Sequence, residues 1–121
     1  MPIGGENISV KTSDGRTLDG GVFIKSEASD PDYLIVFFHG NACSASGFSF
    51  VVDDTNWLKN LNNTDLLFPE YAGYSNNQLP LANNDKFLSD AEDWIKQSLK
   101  RHYKKVIVIG HSLGTPAAAR V

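Results

Sequence analysis

The sequence predicts an α/β fold in which an initial β-hairpin is followed by mostly parallel strands with flanking helices. Two observations support this prediction. The apolar runs at residues 33–38 and 106–109 lack alternation, which is typical of strands covered on both faces in a parallel sheet. Amphipathic segments separate the strand-like runs, and the 121 residues contain no linker, repeat or low-complexity tract. We therefore expect residues 1–121 to belong to a single domain.

The first predicted element is the hairpin. Alternating apolar and polar residues at 8–12 and an extended pattern at 18–25 flank the turn Asp14-Gly15, in which Gly15 supplies a positive φ. A polar segment that ends in Asp-Pro-Asp then leads into the strand at 33–38.

Two helices are predicted by apolar residues that recur at helical spacing. The first covers residues 44–61, with Ser44 or Ser46 placed to cap its first turn. The second runs from about Asp85 to His102. Its acidic residues lie early and its basic residues late, as the helix dipole favours.

The remaining elements alternate with these helices. A short buried strand at 66–68 precedes a loop at 69–84 that is rich in Pro, Gly and Asn. The strand at 106–109 follows the second helix, and a further helix begins at Thr115-Pro116, where proline is tolerated in the first turn.

The motif with the clearest chemistry is Gly110-His111-Ser112-Leu113-Gly114, between a buried strand and a helix start. This spacing is typical of a nucleophile elbow, a tight turn that lifts the serine oxygen clear of the sheet. Gly110 and Gly114 supply the small flanking residues that such a turn requires. We therefore predict that Ser112 is a catalytic nucleophile.

A second motif, His39-Gly40-Asn41-Ala42, directly follows the strand at 33–38. Attack on an acyl carbon places negative charge on oxygen, and preset backbone amides must face that oxygen. In an elbow of this kind, one amide follows the serine and the other lies in the loop after the third strand. We predict that these donors are the backbone nitrogens of Leu113 and Asn41, with Ala42 as the alternative to Asn41.

These motifs, taken in order, resemble the α/β-hydrolase fold family. Residues 37–42, 69–75 and 110–115 further resemble its Bem46-like and related ABHD serine hydrolases. That branch usually shows Asp-Tyr-Arg-Gly-Tyr-Gly where this chain has Glu-Tyr-Ala-Gly-Tyr-Ser, so that Glu70 replaces Asp and Ala72 replaces Arg. The resemblance implies a partial α/β-hydrolase domain, truncated after the nucleophile elbow.

The resemblance also implies that Ser112 is the nucleophile, that Asn41 and Leu113 supply the oxyanion amides, and that an Asp and then a His follow later. Neither partner follows Ser112 in this sequence. Of the upstream histidines, His111 is expected to pack beside the elbow, and the resemblance makes His39 structural. No upstream histidine is predicted to act as the base, so we expect the chain alone to be nearly inactive.

Composition excludes several classes of function. A formal net charge of −3 and scattered Lys and Arg residues argue against a nucleic-acid partner. Cys43 is the only cysteine, no residues have metal-ligand spacing, and no phosphate-binding glycine motif is present, so no metal or cofactor is predicted. No signal peptide or membrane-spanning segment is evident, and a cytoplasmic location is expected.

Two hypotheses follow. In the first, the protein hydrolyses an acyl ester, thioester or amide through a Ser112 acyl-enzyme, with a small acyl compound as substrate and no cofactor. In the second, the chain is a non-catalytic binding or interaction fragment of a hydrolase fold. The strand at 106–109 would then expose an apolar sheet edge through which self-association is expected.

Overall fold

The computed structural model describes residues 5–26, 30–40, 45, 47, 63–72, 74, 84–100 and 102–110. These residues form five strands and a helix, α1, and two further residues, Ala45 and Gly47, are helical. In chain order the elements are β1 Gly5–Lys11, β2 Thr17–Ile24, β3 Tyr33–Phe38, β4 Thr64–Phe68, α1 Asn84–Ser98 and β5 Lys105–Gly110.

The five strands form one mixed sheet in the order β1-β2-β4-β3-β5. β1 pairs antiparallel with β2, and β2 pairs antiparallel with β4. β3 lies between β4 and β5 and is parallel to both. The predicted class, an initial hairpin followed by mostly parallel strands, is confirmed.

The hairpin has the predicted turn and an additional bulge. Gly15 has a φ of 92°, and the amide of Thr12 donates to the carbonyl oxygen of Arg16 at 2.8 Å to close the loop. Gly20, with a φ of 87°, lies where the register between β1 and β2 shifts. Glycine is favoured at both positions because a positive φ is strained for residues with a Cβ.

The apolar core lies on both faces of the sheet, because successive side chains of a strand point to opposite faces. One face packs against α1 and contains Leu34, Val36 and Trp94. The other face contains Ile35 and Phe37. β3 is therefore buried on both faces, as its uninterrupted apolar sequence predicts.

β5 differs from the prediction that residues 106–109 are fully covered. Val106 and Val108 pack against the core face that carries α1. Ile107 and Ile109 are 42% and 37% exposed on the other face. These two side chains are exposed because of the position of β5, which is the end strand of the sheet that the structure describes.

The second predicted helix lies at the expected place in the chain, but its predicted C-terminal end is wrong. α1 ends at Ser98, whose hydroxyl donates to the carbonyl oxygen of Trp94 at 3.0 Å, so His102 lies beyond the helix. Of the predicted helix at 44–61, only Ala45 and Gly47 are described, and both are helical. The helix start at residues 115–116 lies outside the described residues. No described helix is long and apolar enough to cross a membrane.

Candidate active site

The candidate site lies at the edge of the sheet where β3 and β5 end. These strands are parallel, and the register places Phe38, the last residue of β3, beside Gly110, the last residue of β5. Neighbouring strands are about 4.8 Å apart. The segments that begin at His39 and at residue 111 therefore leave the sheet from adjacent points on the same edge.

Of the predicted site residues, the structure describes Gly110, which lies at this edge. Asn41, Ser112, Leu113 and Gly114 lie outside the described residues. The alternative donor Ala42 and the neighbouring His111 lie outside them too.

A buried polar pair lies directly behind this edge. His39 follows β3 and Glu70 follows β4, and both side chains are 0% exposed. The Nε2 atom of His39 lies 2.5 Å from Oε1 of Glu70. A buried contact of this length is strong because of the low local dielectric, and it holds the ends of two neighbouring strands together.

The Glu70 carboxylate has further partners on both oxygens. The backbone amide of Tyr71 donates to Oε1 at 2.9 Å, and the backbone amide of Ala45 donates to Oε2 at 2.9 Å. Trp94 of α1 donates from Nε1 to the Glu70 carbonyl oxygen, also at 2.9 Å. Glu70 thus joins the residues after β3, the turn after β4 and helix α1.

The contacts of His39 engage both ring nitrogens. Nδ1 is 2.9 Å from the carbonyl oxygen of Gly40, which can only accept, so Nδ1 donates this bond. Nε2 contacts Oε1 of Glu70, so each ring nitrogen has an oxygen partner within the protein.

The contacts of His39 do not suit a general base. Both ring nitrogens are engaged and the side chain is fully buried, whereas a base must reach the proton that it removes. His102 is exposed and precedes β5, at the opposite edge from Gly110. That both residues are non-catalytic stays a prediction from the sequence.

Aromatic side chains enclose the pair. Tyr71 stacks on His39 with ring centroids 4.1 Å apart, and its hydroxyl donates to the His39 carbonyl oxygen at 2.7 Å. Tyr74 meets the edges of both rings at 5.5 Å. His39 is therefore held at its ring and at its backbone.

Sequence reasoning missed the pairing of His39 with Glu70. It treated Glu70 only as a departure from a family pattern. The available signal was a single carboxylate in the otherwise uncharged segment 66–74, immediately after a buried strand. A charge at such a position is rarely buried without a partner. The described residues contain no group of three His, Cys, Asp or Glu side chains that could hold a metal ion.

Solved structures share this arrangement of elements. The esterase Pf2001 of Pyrococcus furiosus matches 96% of the chain with a TM-score of 0.73 and 20% identity. An α/β hydrolase from Novosphingobium aromaticivorans matches 92% with a TM-score of 0.65 and 22% identity. The chain has the N-terminal part of an α/β-hydrolase fold.

This fold covers part of each similar protein. The chain spans 45% of the length of the Pyrococcus esterase and 36% of the Novosphingobium hydrolase. A Staphylococcus aureus protein of unknown function also matches, with a TM-score of 0.59, 18% identity and 40% of its length covered. No protein-family model and no curated protein matches the chain.

Proposed function

We propose that the chain is the N-terminal part of a serine hydrolase that cleaves an acyl ester, thioester or amide, with Ser112 as nucleophile. The observation that carries this proposal is the parallel register that places Phe38 beside Gly110. Residues 39–42 and 111–114 follow these two positions directly. A nucleophile elbow and the loop that completes its oxyanion site require this adjacency.

In the proposed reaction, the Oγ atom of Ser112 attacks the acyl carbon while its proton passes to a histidine base. The carbonyl π electrons move onto oxygen, and the backbone amides of Asn41 and Leu113 stabilise the resulting oxyanion. Collapse of this intermediate re-forms the carbonyl and expels the alcohol, thiol or amine, which takes the proton from the histidine. Water then repeats these steps on the acyl-enzyme and releases the acid.

We place the acid and the histidine base beyond residue 121. Residues 115–121 contain no Asp, Glu or His. The chain also spans only 36% to 45% of the similar hydrolase structures. The motifs at 37–42, 69–75 and 110–115 support membership of the Bem46-like and related ABHD branch.

The proposal is tested by labelling the whole protein with a fluorophosphonate probe, which reacts with activated serines. We expect the wild-type protein to be labelled and Ser112→Ala to lose labelling. Turnover of a p-nitrophenyl ester should fall by a factor on the order of 10⁶. Ser13→Ala is the matched control, because Ser13 lies in the hairpin turn and its hydroxyl contacts Asp93. Labelling that survives in Ser112→Ala, or no labelling of the wild type, would contradict the proposal.

A second candidate is a non-catalytic binding role for the chain by itself. It is favoured by the exposed Ile107 and Ile109 on the end strand of the described sheet. An apolar surface next to an unpaired strand edge is typical of a site where another chain binds.

A further inference from the structure

The Glu70 carboxylate contacts both ends of one short segment. Oε1 lies against the His39 ring, and Oε2 accepts from the backbone amide of Ala45. Residues 40–44 lie between these two points in the sequence, and they include one of the two predicted oxyanion donors, Asn41, as well as its alternative Ala42. A single side chain therefore limits the separation and orientation of both ends of the segment.

The position of this carboxylate is itself tightly constrained. Its side chain is 0% exposed, its own carbonyl oxygen accepts from Trp94 Nε1, and Tyr71 donates to one of its oxygens. Tyr71 also holds the His39 carbonyl through its hydroxyl. Satisfied polar networks in a buried site are rigid, because breaking a bond there is costly.

We propose that Glu70 is a positioning residue for the oxyanion site, which it aligns through His39 and Ala45. This inference rests on the proposed function. Oxyanion donors are effective only when they already point at the position that the charged oxygen will occupy. A loss of that alignment slows formation of the tetrahedral intermediate and leaves binding of the uncharged ester intact.

Glu70→Gln is the decisive substitution because it keeps the shape of the side chain but replaces one acceptor oxygen with an NH₂ donor. An amide has one oxygen and one NH₂ group, whereas both carboxylate oxygens accept from backbone amides. In one orientation the NH₂ group faces the amide of Tyr71, and in the other it faces the amide of Ala45. Either orientation sets donor against donor at one end of the network.

Asp65→Asn is the matched control. Asp65 is a second fully buried carboxylate, on β4 near its first residue. Its Oδ1 accepts from the amide of Ser26 and its Oδ2 from the Tyr103 hydroxyl, each at 2.7 Å. Like Glu70 it accepts from a backbone amide in a buried site, but it lies at the opposite edge of the sheet, so it reports the effect of losing a buried carboxylate away from the candidate site.

The experiment compares kcat and KM for a p-nitrophenyl ester, together with fluorophosphonate labelling rates, in the whole protein. Glu70→Gln should lower kcat and the labelling rate by about 100-fold with KM unchanged, a loss comparable to that of one oxyanion donor. Glu70→Asp, which keeps both acceptor oxygens, should recover part of the loss. Asp65→Asn should keep the wild-type kcat and labelling rate although its melting temperature falls.

Tyr71→Phe is a second, milder variant that keeps the stacked ring and removes the bond to the His39 carbonyl. It should lower kcat by about three- to tenfold, and it carries the test if Glu70→Gln does not fold. The inference is overturned if the variant that can be assayed, Glu70→Gln or Tyr71→Phe, has the same kcat as Asp65→Asn. Absence of Ser112-dependent labelling in the wild type overturns the proposed function itself, so the two failures are distinguishable.

Discussion

Glu70 and His39 form a buried pair that joins two segments far apart in the sequence. They lie 31 positions apart, yet their side chains meet at 2.5 Å because β3 and β4 are parallel neighbours. Both side chains also form hydrogen bonds to the backbone. Removing either partner would take one hydrogen bond from the other in a buried site, which costs more than the net value of the contact.

Gly21 is a residue whose surroundings leave no space for a side chain. A Cβ there would fall 2.8 Å from Cζ3 of Trp94 and closer still to Cη2. Trp94 is 1% exposed, so its rigid ring cannot move aside. Gly21→Ala should therefore lower the free energy of unfolding by about 3 kcal/mol.

Gly15→Ala is the comparison for this prediction. Gly15 has a positive φ but nothing within 4 Å of an added Cβ, so only backbone strain of about 1 kcal/mol is expected. Urea unfolding of both variants checks the difference. A smaller loss for Gly21→Ala than for Gly15→Ala would show that the contact with Trp94 is not tight.

The hairpin and α1 are joined by a cluster of charges. The Arg16 guanidinium binds Asp90 of α1 through two bonds of 2.6 and 3.2 Å, and its Nε donates to both oxygens of Asp14 at 3.0 Å. Burial raises the pKa of Asp90, an effect that the Arg16 contact only partly offsets. Hydrogen bonds, first from the Thr12 hydroxyl and then from Arg16, lower the pKa of Asp14 below its ordinary value of 3.8.

The lowered pKa of Asp14 predicts how the stability of the fold depends on pH. Because the pKa of Asp14 is lower in the folded state, its carboxylate stabilises the fold above pH 3.8, and that contribution is lost as the pH falls further. Asp14→Asn should thus lower the melting temperature near neutral pH, and the difference from wild type should shrink below pH 3.8. Asp30→Asn, at an exposed position outside this cluster, is the control for the change in net charge. A difference for Asp14→Asn that is constant with pH would contradict the assignment.

Within the described residues, β5 is the end strand of the sheet, and one of its apolar faces is exposed. β5 pairs with β3 through all six of its residues, and Ile107 and Ile109 face away from α1. An end strand of this kind favours pairing with a further strand or a second molecule. We expect the 121-residue chain by itself to self-associate with increasing concentration.

Ile107→Lys combined with Ile109→Lys should reduce this association, since charged side chains on an edge strand oppose pairing. Leu99→Lys is the matched control, because Leu99 is 49% exposed at the end of α1. Sedimentation or size-exclusion chromatography over a range of concentrations measures the effect. Equal association of the Ile and Leu variants would exclude β5 as the interface and would remove the support for a binding role.

The sequence by itself determined the order and type of the elements. The Gly15 turn, the burial of β3 on both faces and the place of α1 were all predicted from local patterns, because turn conformation and apolar periodicity depend on residues close together in the chain. The same patterns located Gly110 at the end of a strand. The roles of Asn41, Ser112, Leu113 and Gly114 remain predictions from the sequence motifs.

Only the tertiary structure decided which distant residues meet. The contact of His39 with Glu70, the link between Arg16 and Asp90, and the half-exposed face of β5 depend on strand order and register. The amphipathic pattern that extended α1 to His102 likewise did not predict its end at Ser98. Local sequence specifies the conformation of a segment, whereas contacts between distant side chains are created only when the sheet brings those segments together.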